Sequence, residues 1–218
     1  YINTNDKVKG FFGFVDSAQI KNLGLGSDCN ITGGNNLGGI VGSANDTKIY
    51  NCYNKSAING ISNTGGIVGT AINSYIYSSY NIGKIEISQS NAGGICGNSD
   101  NTSIDSCYNT GNILASNNSG GLCGQIINDN IENCYNIGNI TIKVTNNIHV
   151  GPIIGYGIQV NLNNNYYLAN CDNEELVLSE QGIKKEDDEI KKIYKDLGDL
   201  FKDDIDGINN GYPILQWQ

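Results

Sequence analysis

Hydrophobic residues recur along this chain in short groups that are separated by polar residues and glycines. Segments such as GGIVG at 65–69 and IYSSYN at 76–81 are rich in Ile, Val and Tyr and are bounded by Gly, Asn and Ser. That pattern is typical of short β-strands. Between residues 10 and 170, no repeat has the ten or so helically spaced residues that a helix needs. We therefore predict an all-β fold for this part of the chain.

The strand-like groups repeat with a period of about 27 residues. Gly-Gly pairs begin at residues 38, 65, 93 and 120, so they stand 27, 28 and 27 residues apart. Each copy continues with two aliphatic or small residues, an Ile, a Cys-Tyr-Asn sequence or a variant of it, and a segment of the type Gly-x-Ile. Weaker copies, GFFG at 10–13 and GPIIG at 151–155, bring the total to about six. A fixed period of this length indicates a repeat architecture.

One copy cannot bury its own apolar face, but stacked copies can. We predict a parallel β-solenoid (β-helix) in which each copy forms one coil of three strands, paired with the next coil at about 4.8 Å. Equivalent residues then lie above one another in columns. One column is predicted to fill the interior: Ile49, Ile76, Ile104 and Ile131. A second column is predicted to form a ladder of hydrogen-bonded amides: Asn54, Asn81, Asn109 and Asn136.

The composition and the charge of the chain exclude some classes of partner. The chain has 35 Asn, 29 Gly, 2 Pro and no Arg, with a net charge of −9. Residues 1–171 carry nine acids and seven Lys (−2), and residues 172–218 carry thirteen acids and six Lys (−7). Without a basic cluster, nucleic acid is not an expected partner, and heparin-like polyanions are disfavoured. No apolar run approaches the roughly 18 residues of a membrane span, so we expect no membrane insertion in this piece. Because position 1 is not Met, we expect a mature fragment or an excised domain.

The segments GGIVG, GGICG and GGLCG, followed by CYNTGNI at 107–113 and CYNIGNI at 134–140, resemble the GLUG motif of bacterial surface proteins. The closing NNGYPILQWQ resembles the segment that often follows such repeats. The resemblance implies an exported protein that is extracellular and associated with the cell surface or cell wall. It also implies a non-enzymatic adhesin or spacer module, with a host or matrix protein or a glycan as partner and with covalently linked flanking domains. It carries over no catalytic residue.

Some GLUG repeats accompany large metallopeptidases that cut immunoglobulin A. An accessory, non-catalytic domain of such a secreted hydrolase is therefore the alternative function. Sequence on either side of this chain would discriminate: an HExxH motif favours the hydrolase, and an anchoring segment or further repeats favour the adhesin.

After Cys171 the pattern changes, and we predict two domains: a solenoid over 1–171 and a C-terminal capping segment over 172–218. Within 186–201, apolar residues at helical spacing and four leading acids predict one amphipathic helix. The cap would cover the open strand edges of the last coil, with a linker helix to a further domain as the alternative. Four residues are predicted to pack on the end of the core: Tyr212, Pro213, Leu215 and Trp217.

Five of the seven cysteines fall in two columns, Cys52 with Cys107 and Cys134, and Cys96 with Cys123. Buried Cys acts as a small hydrophobe, which is our main interpretation. Bridges between Cys107 and Cys134 or between Cys96 and Cys123 are the alternative, since neighbouring coils bring Cα atoms within disulfide range. Ten intervening residues between the nearest of these Cys speak against structural zinc.

The other reactive side chains do not form a recognisable catalytic set. The sole histidine, His149, is expected on the surface. Asp105 and Glu132 align in adjacent copies, as paired carboxylates for glycoside hydrolysis would, but their column also contains Tyr50 and Tyr77. Three further acids near the C-terminus do not match a calcium loop: Asp203, Asp204 and Asp206. We predict no enzyme activity, no catalytic residue, no metal site and no cofactor. A polysaccharide-cleaving enzyme is a further alternative, by fold analogy alone.

A column of tyrosines is the predicted ligand-binding site: Tyr53, Tyr80, Tyr108 and Tyr135. If Cys52 and Asn54 point inward, alternation directs Tyr53 outward, and four stacked rings form a flat aromatic stripe. Such a stripe suits sugar rings or a protein partner. The alternative is that each ring only covers its neighbour and shields the turn.

Overall fold

The computed structural model describes residues 2–3, 8–143, 149–171 and 181–218. The chain winds as a parallel β-solenoid of about six coils, which confirms the predicted fold class. Each coil passes through five sheets, which we number in the order in which the chain visits them. Strands of successive coils add to each sheet side by side, so the sheets run along the axis of the solenoid.

The strands of the sheets are as follows. Sheet 1 contains Phe12–Asp16, Val41–Asn45, Val68–Ile72, Cys96–Asp100, Cys123–Ile127 and Ile154–Ile158. Sheet 2 contains Gln19–Lys21, Lys48–Tyr50, Tyr75–Tyr77, Ser103–Asp105, Asn130–Glu132 and Asn161–Asn163. Sheet 3 contains Gly24–Leu25, Tyr53–Asn54, Tyr80–Asn81, Tyr108–Asn109, Tyr135–Asn136, Tyr166–Leu168 and Ile183–Lys185. Sheet 4 contains Ile2–Asn3, Asn30–Thr32, Ala57–Gly60, Ile85–Ile87, Ile113–Ala115 and Ile140–Ile142. Sheet 5 contains Asn35–Gly38, Ser62–Gly65, Ser90–Gly93, Asn117–Gly120 and Val150–Gly151.

Equivalent residues of successive coils are direct partners in these sheets. Ile76 pairs with Ile49 on one side and with Ile104 on the other, and Ile104 pairs with Ile131. All four side chains are fully buried. The predicted Ile column is therefore confirmed, and with it the in-register stacking that the period implies.

Each coil has five short strands, so the prediction of three strands per coil was wrong. The additional breaks are corners at residues with positive φ, such as Asn73 (φ 50°) and Ser78 (φ 47°) on either side of Tyr75–Tyr77. Of the seventeen described non-glycine residues with positive φ, twelve are Asn. Asn tolerates the left-handed region better than most residues do, because its short polar side chain can hydrogen-bond locally. The sequence pattern shows the asparagines but not which of them turn the chain.

Small polar side chains satisfy the backbone at these corners. The backbone N–H of Thr47 donates to Ser74 Oγ at 3.2 Å, and that of Ser74 donates to Thr102 Oγ1 at 3.3 Å. Ser74 Oγ in turn donates to the carbonyl oxygen of Ile72 at 2.7 Å. A column of hydroxyls thus replaces the strand-to-strand bonds that are lost at the bend, which keeps the buried backbone hydrogen-bonded.

The glycines of the Gly-Gly segment are required by close packing between coils. A Cβ atom on Gly93 would lie 2.0 Å from the carbonyl oxygen of Cys96. One on Gly94 would lie 2.2 Å from the carbonyl oxygen of Gly121, and one on Gly97 would lie 2.4 Å from the backbone of Asn63. Real Cβ atoms do not approach other atoms so closely, so each of the three positions needs a residue without a side chain.

The predicted asparagine ladder is confirmed. The side-chain amides of Asn54, Asn81 and Asn109 donate in turn to the side-chain oxygen of the next member at 2.8 Å, up to Asn136. All four are fully buried. Each ladder residue lies against the second glycine of a Gly-Gly pair, as Asn109 does at Gly94. The ladder therefore forms a polar wall inside the coil, with apolar clusters elsewhere in the interior.

The C-terminal part contains less helix than the sequence pattern predicts. The helix spans only Asp187–Ile190, and a 3₁₀ turn follows at Ile193–Lys195. The prediction of one short α-helix in this part is confirmed, but the expectation that it extends over 186–201 was wrong. The apolar residues at helical spacing are nevertheless all buried in one cluster: Ile190, Ile193, Leu197 and Phe201. Short turns, interrupted at Gly198 (φ 88°), let the segment follow the flank of the solenoid and still bury this face. Phe201–Lys202 then pairs antiparallel with Ile214–Leu215.

Candidate functional site

The predicted tyrosine column exists as a stack of nearly parallel rings on sheet 3. The ring centroids of Tyr53 and Tyr80 are 5.3 Å apart, those of Tyr80 and Tyr108 are 4.8 Å apart, and those of Tyr108 and Tyr135 are 5.0 Å apart. The angles between the ring planes are 10°, 2° and 6°. Tyr166 belongs to the same apolar cluster on the last coil. The rings lie outside the interior clusters, in line with strand alternation.

Residues 187–218 cover this tyrosine ladder, and we call them the C-terminal strap. The Trp217 ring lies 5.6 Å from the ring of Tyr80, and the Phe201 ring lies 5.9 Å from that of Tyr135. Tyr108 Oη donates to Gln218 Oε1 at 3.0 Å, and Asn209 Nδ2 donates to Tyr135 Oη at 2.8 Å. The strap contacts several successive coils and holds them together from the side.

The tyrosines are consequently not an open aromatic stripe. Tyr80, Tyr108 and Tyr135 are buried, and Tyr53 is half-buried. The expected outward direction agrees with the structure, but the expected exposure does not, because the apolar face of the strap packs on the rings. Ligand binding at the four tyrosines stays a prediction, and it would require the strap to leave.

Burial also sets the ionisation of the ladder. Desolvation raises the pKa of Tyr80 to about 12 and raises the pKa values of Tyr108 and Tyr135 well above the ordinary value for tyrosine. The phenols of Tyr80, Tyr108 and Tyr135 are therefore protonated at neutral pH. That is the state in which Tyr108 donates to Gln218, so the strap and the ladder are matched as acceptor and donor.

The residues that precede the strap continue the last coil of the solenoid. Ile183–Lys185 extends sheet 3 by pairing with Tyr166–Leu168. The Gln181 side-chain oxygen accepts the backbone N–H of Ile154 at 3.0 Å, in the place where a further coil would supply a carbonyl oxygen. Residues 172–180, the first part of the predicted capping segment, lie outside the described residues. From Asp187 onward the chain runs along the flank, so Trp217 packs on the tyrosines and not on the end of the core, where we expected it.

The cysteine columns have a structural role. Cys96, Cys107, Cys123 and Cys134 are fully buried free thiols, so neither of the alternative disulfides is present. Cys107 Sγ donates to the carbonyl oxygen of Asp105 at 3.2 Å, as the corner hydroxyls do in the neighbouring column. Burial raises the pKa of the Cys52 thiol to about 11 and raises the pKa values of Cys123 and Cys134 well above the ordinary value for cysteine. These groups are protonated thiols and poor nucleophiles.

The acids considered for chemistry also have hydrogen-bonded roles. Asp105 and Glu132 are direct partners in sheet 2, and Asp105 accepts from Tyr75 Oη at 3.1 Å. Asp204 is buried and accepts the backbone N–H groups of Ile208, Asn209 and Gly211, each at 2.8 Å, so it closes the turn before the last strand. Over the described ranges, no three His, Cys, Asp or Glu side chains are grouped so that they could hold a metal ion.

His149 ends a chain of surface amides. Its Nδ1 lies 3.0 Å from Asn118 Oδ1, at the top of a ladder in which Asn118 donates to Asn91 at 2.9 Å. Its ring lies 5.0 Å from that of Tyr156. The only histidine of the chain therefore takes the place of an asparagine in a structural column.

Sequence reasoning missed two features of the site. The first is the course of the strap, which no local pattern records. The second is Asp129, which occupies a position of the corner hydroxyl column: it accepts the backbone N–H of Thr102 at 2.8 Å and hydrogen-bonds to Ser99. Burial raises the pKa of this carboxyl to about 6. A carboxylate aligned with Thr47, Ser74 and Thr102 in the repeat was visible in the sequence and would have identified it.

Comparison with protein families agrees with this geometry. The family model of the GLUG motif matches residues 88–114 and 115–141. The chain therefore contains two adjacent GLUG repeats, at residues 88–141. Each matched GLUG segment contains one strand of every sheet, from Ser90–Gly93 to Ile113 in the first, so one motif corresponds to one complete coil. The three glycines and the asparagine of the GLUG repeat are the residues that pack coil on coil.

Comparisons of the chain with curated proteins and with solved structures gave no match. None of the helices in the described part of the chain has the length and the hydrophobicity of a membrane span.

Proposed function

We propose that this GLUG protein is a non-enzymatic module of a bacterial cell-surface protein, acting as an adhesin or spacer that holds a binding surface away from the cell. The observation that carries the proposal is the use of every repeated column in coil-to-coil packing. Ile stacks on Ile and Asn donates to Asn in the next coil. The corner hydroxyls accept backbone N–H groups of the preceding coil, and the glycines let the backbones of neighbouring coils approach closely. Such a body keeps its shape along its length, which suits a spacer.

The roles of the reactive side chains support a non-catalytic module. The buried thiols donate to backbone carbonyls, and the carboxylates of Asp129 and Asp204 accept backbone N–H groups. These groups satisfy the backbone at corners and turns, so their chemistry is already accounted for by the fold.

The strap supports a role in which the module carries load. Trp217 is bonded to the coil of Ser78, Gln218 to that of Tyr108, and Asn209 to that of Tyr135. A force that separates the coils must also break these side contacts. The resemblance of the repeats to those of bacterial surface proteins supports an extracellular location in contact with the cell wall.

Deletion of the coding region for residues 1–218 from the producing bacterium tests the proposal. Antibodies raised against residues 1–218 should label intact wild-type cells and not the deletion strain. Attachment to matrix-coated surfaces should fall in the deletion strain. Rescue by an unrelated rigid domain of the same length indicates a spacer, whereas rescue only by the GLUG module itself indicates an adhesin.

Two results would overturn the proposal. One is a failure of the antibodies to label intact cells. The other is unchanged attachment of the deletion strain. A simultaneous loss of secreted immunoglobulin A-cleaving activity would then favour an accessory domain of a hydrolase.

A further inference from the structure

The outer face of sheet 2 carries residues that differ from coil to coil, and it forms a surface separate from the tyrosine ladder. Inward columns of the solenoid repeat one residue type, since they pack on themselves. The outward positions flanking the Ile column are free of that constraint. At these positions two adjacent coils carry three tyrosines, Tyr50, Tyr75 and Tyr77. The following coils have Ser103 and Asp105 and then Asn130 and Glu132 at the same positions.

The three tyrosines form one stack on the surface. Tyr77 lies 4.7 Å from the ring of Tyr50, with 10° between the planes, and 4.7 Å from the ring of Tyr75, with 24° between the planes. Tyr75 Oη donates to Asp105 of the next coil. Tyr75 therefore leans across Tyr77 on the side away from Tyr50, and its other face is turned towards the next coil. All three rings are half-buried.

A cleft of about 320 Å³ lies beside Tyr75 and runs along the axis of the solenoid. Ser103 is the residue above Tyr75 in its column, and its small side chain leaves the space open. The buried hydroxyl column of Ser74 and Thr102 forms the floor. Corner amides at Asn73, Asn101 and Asn128 form the opposite wall.

The amide wall offers hydrogen bonds at regular intervals. Asn101 Nδ2 donates to Asn73 Oδ1 at 2.7 Å, which uses one N–H of one amide and one lone pair of the other. An amide has a second N–H and a second lone pair, and these remain for a ligand. The same side chains recur once per coil, at about 4.8 Å. The cleft thus presents equivalent donors and acceptors along a line, opposite one aromatic face.

The charge and the lining residues of the cleft disfavour polyanions and protein partners. The charged residues lining it are Asp46 and Lys48, so the lining has no net charge, while the whole chain carries −9. Long-range repulsion therefore disfavours a polyanion. A protein partner needs large apolar anchors, whereas this cleft is lined mainly by amides and hydroxyls.

We propose that the cleft bounded by Tyr75 and by the asparagines of the adjacent corners binds a neutral glycan chain laid along the solenoid axis. One sugar ring stacks on the face of Tyr75, and hydroxyls of successive sugars exchange hydrogen bonds with Asn73 and Asn101. This inference rests on the proposed surface function and names the ligand class of an adhesin.

Titration of the ¹⁵N-labelled GLUG protein with neutral oligosaccharides tests the site. Suitable probes are hexamers of β-1,4-linked glucose, β-1,4-linked N-acetylglucosamine, β-1,4-linked mannose and α-1,4-linked glucose, at up to about 10 mM, where millimolar dissociation constants are still detected. At least one probe should shift the amide signals of residues 73–75 and 101–103. Absence of any shift across the panel would overturn the proposal.

Substitutions in the cleft test whether the oligosaccharide binds beside Tyr75. Tyr75→Ala should weaken binding at least about tenfold, and Tyr75→Trp should retain it, because both Tyr and Trp offer an aromatic face. Ser103→Trp should abolish binding by filling the cleft while Tyr75 remains. Tyr156→Ala on sheet 1 is the matched control and should bind as the wild type does. Unfolding curves check that each variant is folded.

If Tyr75→Ala and Ser103→Trp both bind the oligosaccharide as tightly as the wild type does, the proposed site is wrong. If no glycan binds but a matrix protein does, the glycan inference falls while the surface function stands. If cells lacking the module attach normally, the surface function falls, whether or not the purified protein binds sugar.

Discussion

The indole N–H of Trp217 donates to the backbone carbonyl oxygen of Ser78 at 3.0 Å, although the two residues are 139 positions apart in the chain. The same indole packs beside the rings of Tyr53 and Tyr80. This contact places the end of the strap on the second and third coils, far from the last coil where the strap begins. The strap therefore closes a long loop over the tyrosine ladder.

Removing the Trp217 side chain, which attaches the end of the strap to the solenoid, should destabilise the whole protein. We expect Trp217→Ala to lower the free energy of unfolding by about 2–4 kcal/mol, because packing against two rings and a hydrogen bond are lost. Urea unfolding followed by circular dichroism measures the change. Ile205→Ala, at a side chain that is 87% exposed, is the control and should change stability by less than about 0.5 kcal/mol. If Trp217→Ala changes the free energy of unfolding as little as Ile205→Ala does, the strap does not stabilise the protein.

The Gly-Gly segment should reject even one methyl group. In Gly94→Ala, the new Cβ would lie 2.2 Å from the carbonyl oxygen of Gly121 and 2.3 Å from Asn109 Cγ. We expect a loss of about 3 kcal/mol or more, since two coils would have to separate. Gly26→Ala is the matched control, because a Cβ there meets no atom within 4 Å. Thermal melting compares the two variants, and a Gly94→Ala protein as stable as Gly26→Ala would contradict the packing argument.

Breaking the buried amide ladder should have a large effect. Asn109 donates to Asn136 at 2.8 Å and to the carbonyl oxygen of Gly111 at 2.9 Å, and it accepts from Asn81 at 2.8 Å. Asn109→Ala leaves these groups buried without partners, so we expect a loss of about 3–5 kcal/mol. Asn98→Ala, on the outer side of sheet 1, should change stability by less than about 0.5 kcal/mol. Chemical denaturation of both variants provides the measurement; similar stabilities would refute a structural role for the ladder.

Asp129 should make stability depend on pH. Burial raises the pKa of its carboxyl to about 6 in the folded protein, from an ordinary value of 3.8. A raised carboxyl pKa means that the folded state disfavours the ionised form. The contribution of the protonated Asp129 carboxyl to the free energy of unfolding is therefore fully present below the ordinary pKa. That contribution is lost as the pH rises from about 4 to about 6. The total change is about 2–3 kcal/mol.

The variant Asp129→Asn isolates this effect. Its side-chain oxygen can still accept the N–H of Thr102, but it does not ionise. Urea unfolding at several pH values should show that the wild type loses stability relative to the variant across this interval. Asp28→Asn, at an exposed position, should parallel the wild type. A difference between the wild type and Asp129→Asn that is constant with pH would rule out the buried carboxyl as the cause.

Several elements could be read from the repeat alone. The Ile column and the asparagine ladder followed from like residues at equal spacing, because stacking places each residue on its own kind. The corners could not be read in this way. Asn occurs both in the ladder, as Asn81, and at positive φ, as Asn73, and no local pattern separates the two. The extent of the helix was overestimated, because the spacing of Ile190, Ile193 and Leu197 shows that a face is buried but not that the backbone is continuous helix.

By itself, the sequence determined the period, the number of coils and the register, since a column of identical residues is satisfied only when each coil lies squarely on the previous one. Tertiary structure alone decided that the tyrosine ladder is covered and that the strap runs along the flank. Those contacts join residues 74 to 139 positions apart in the chain. Their chemistry, an apolar face that packs on another apolar face, does not specify a partner until the chain has folded.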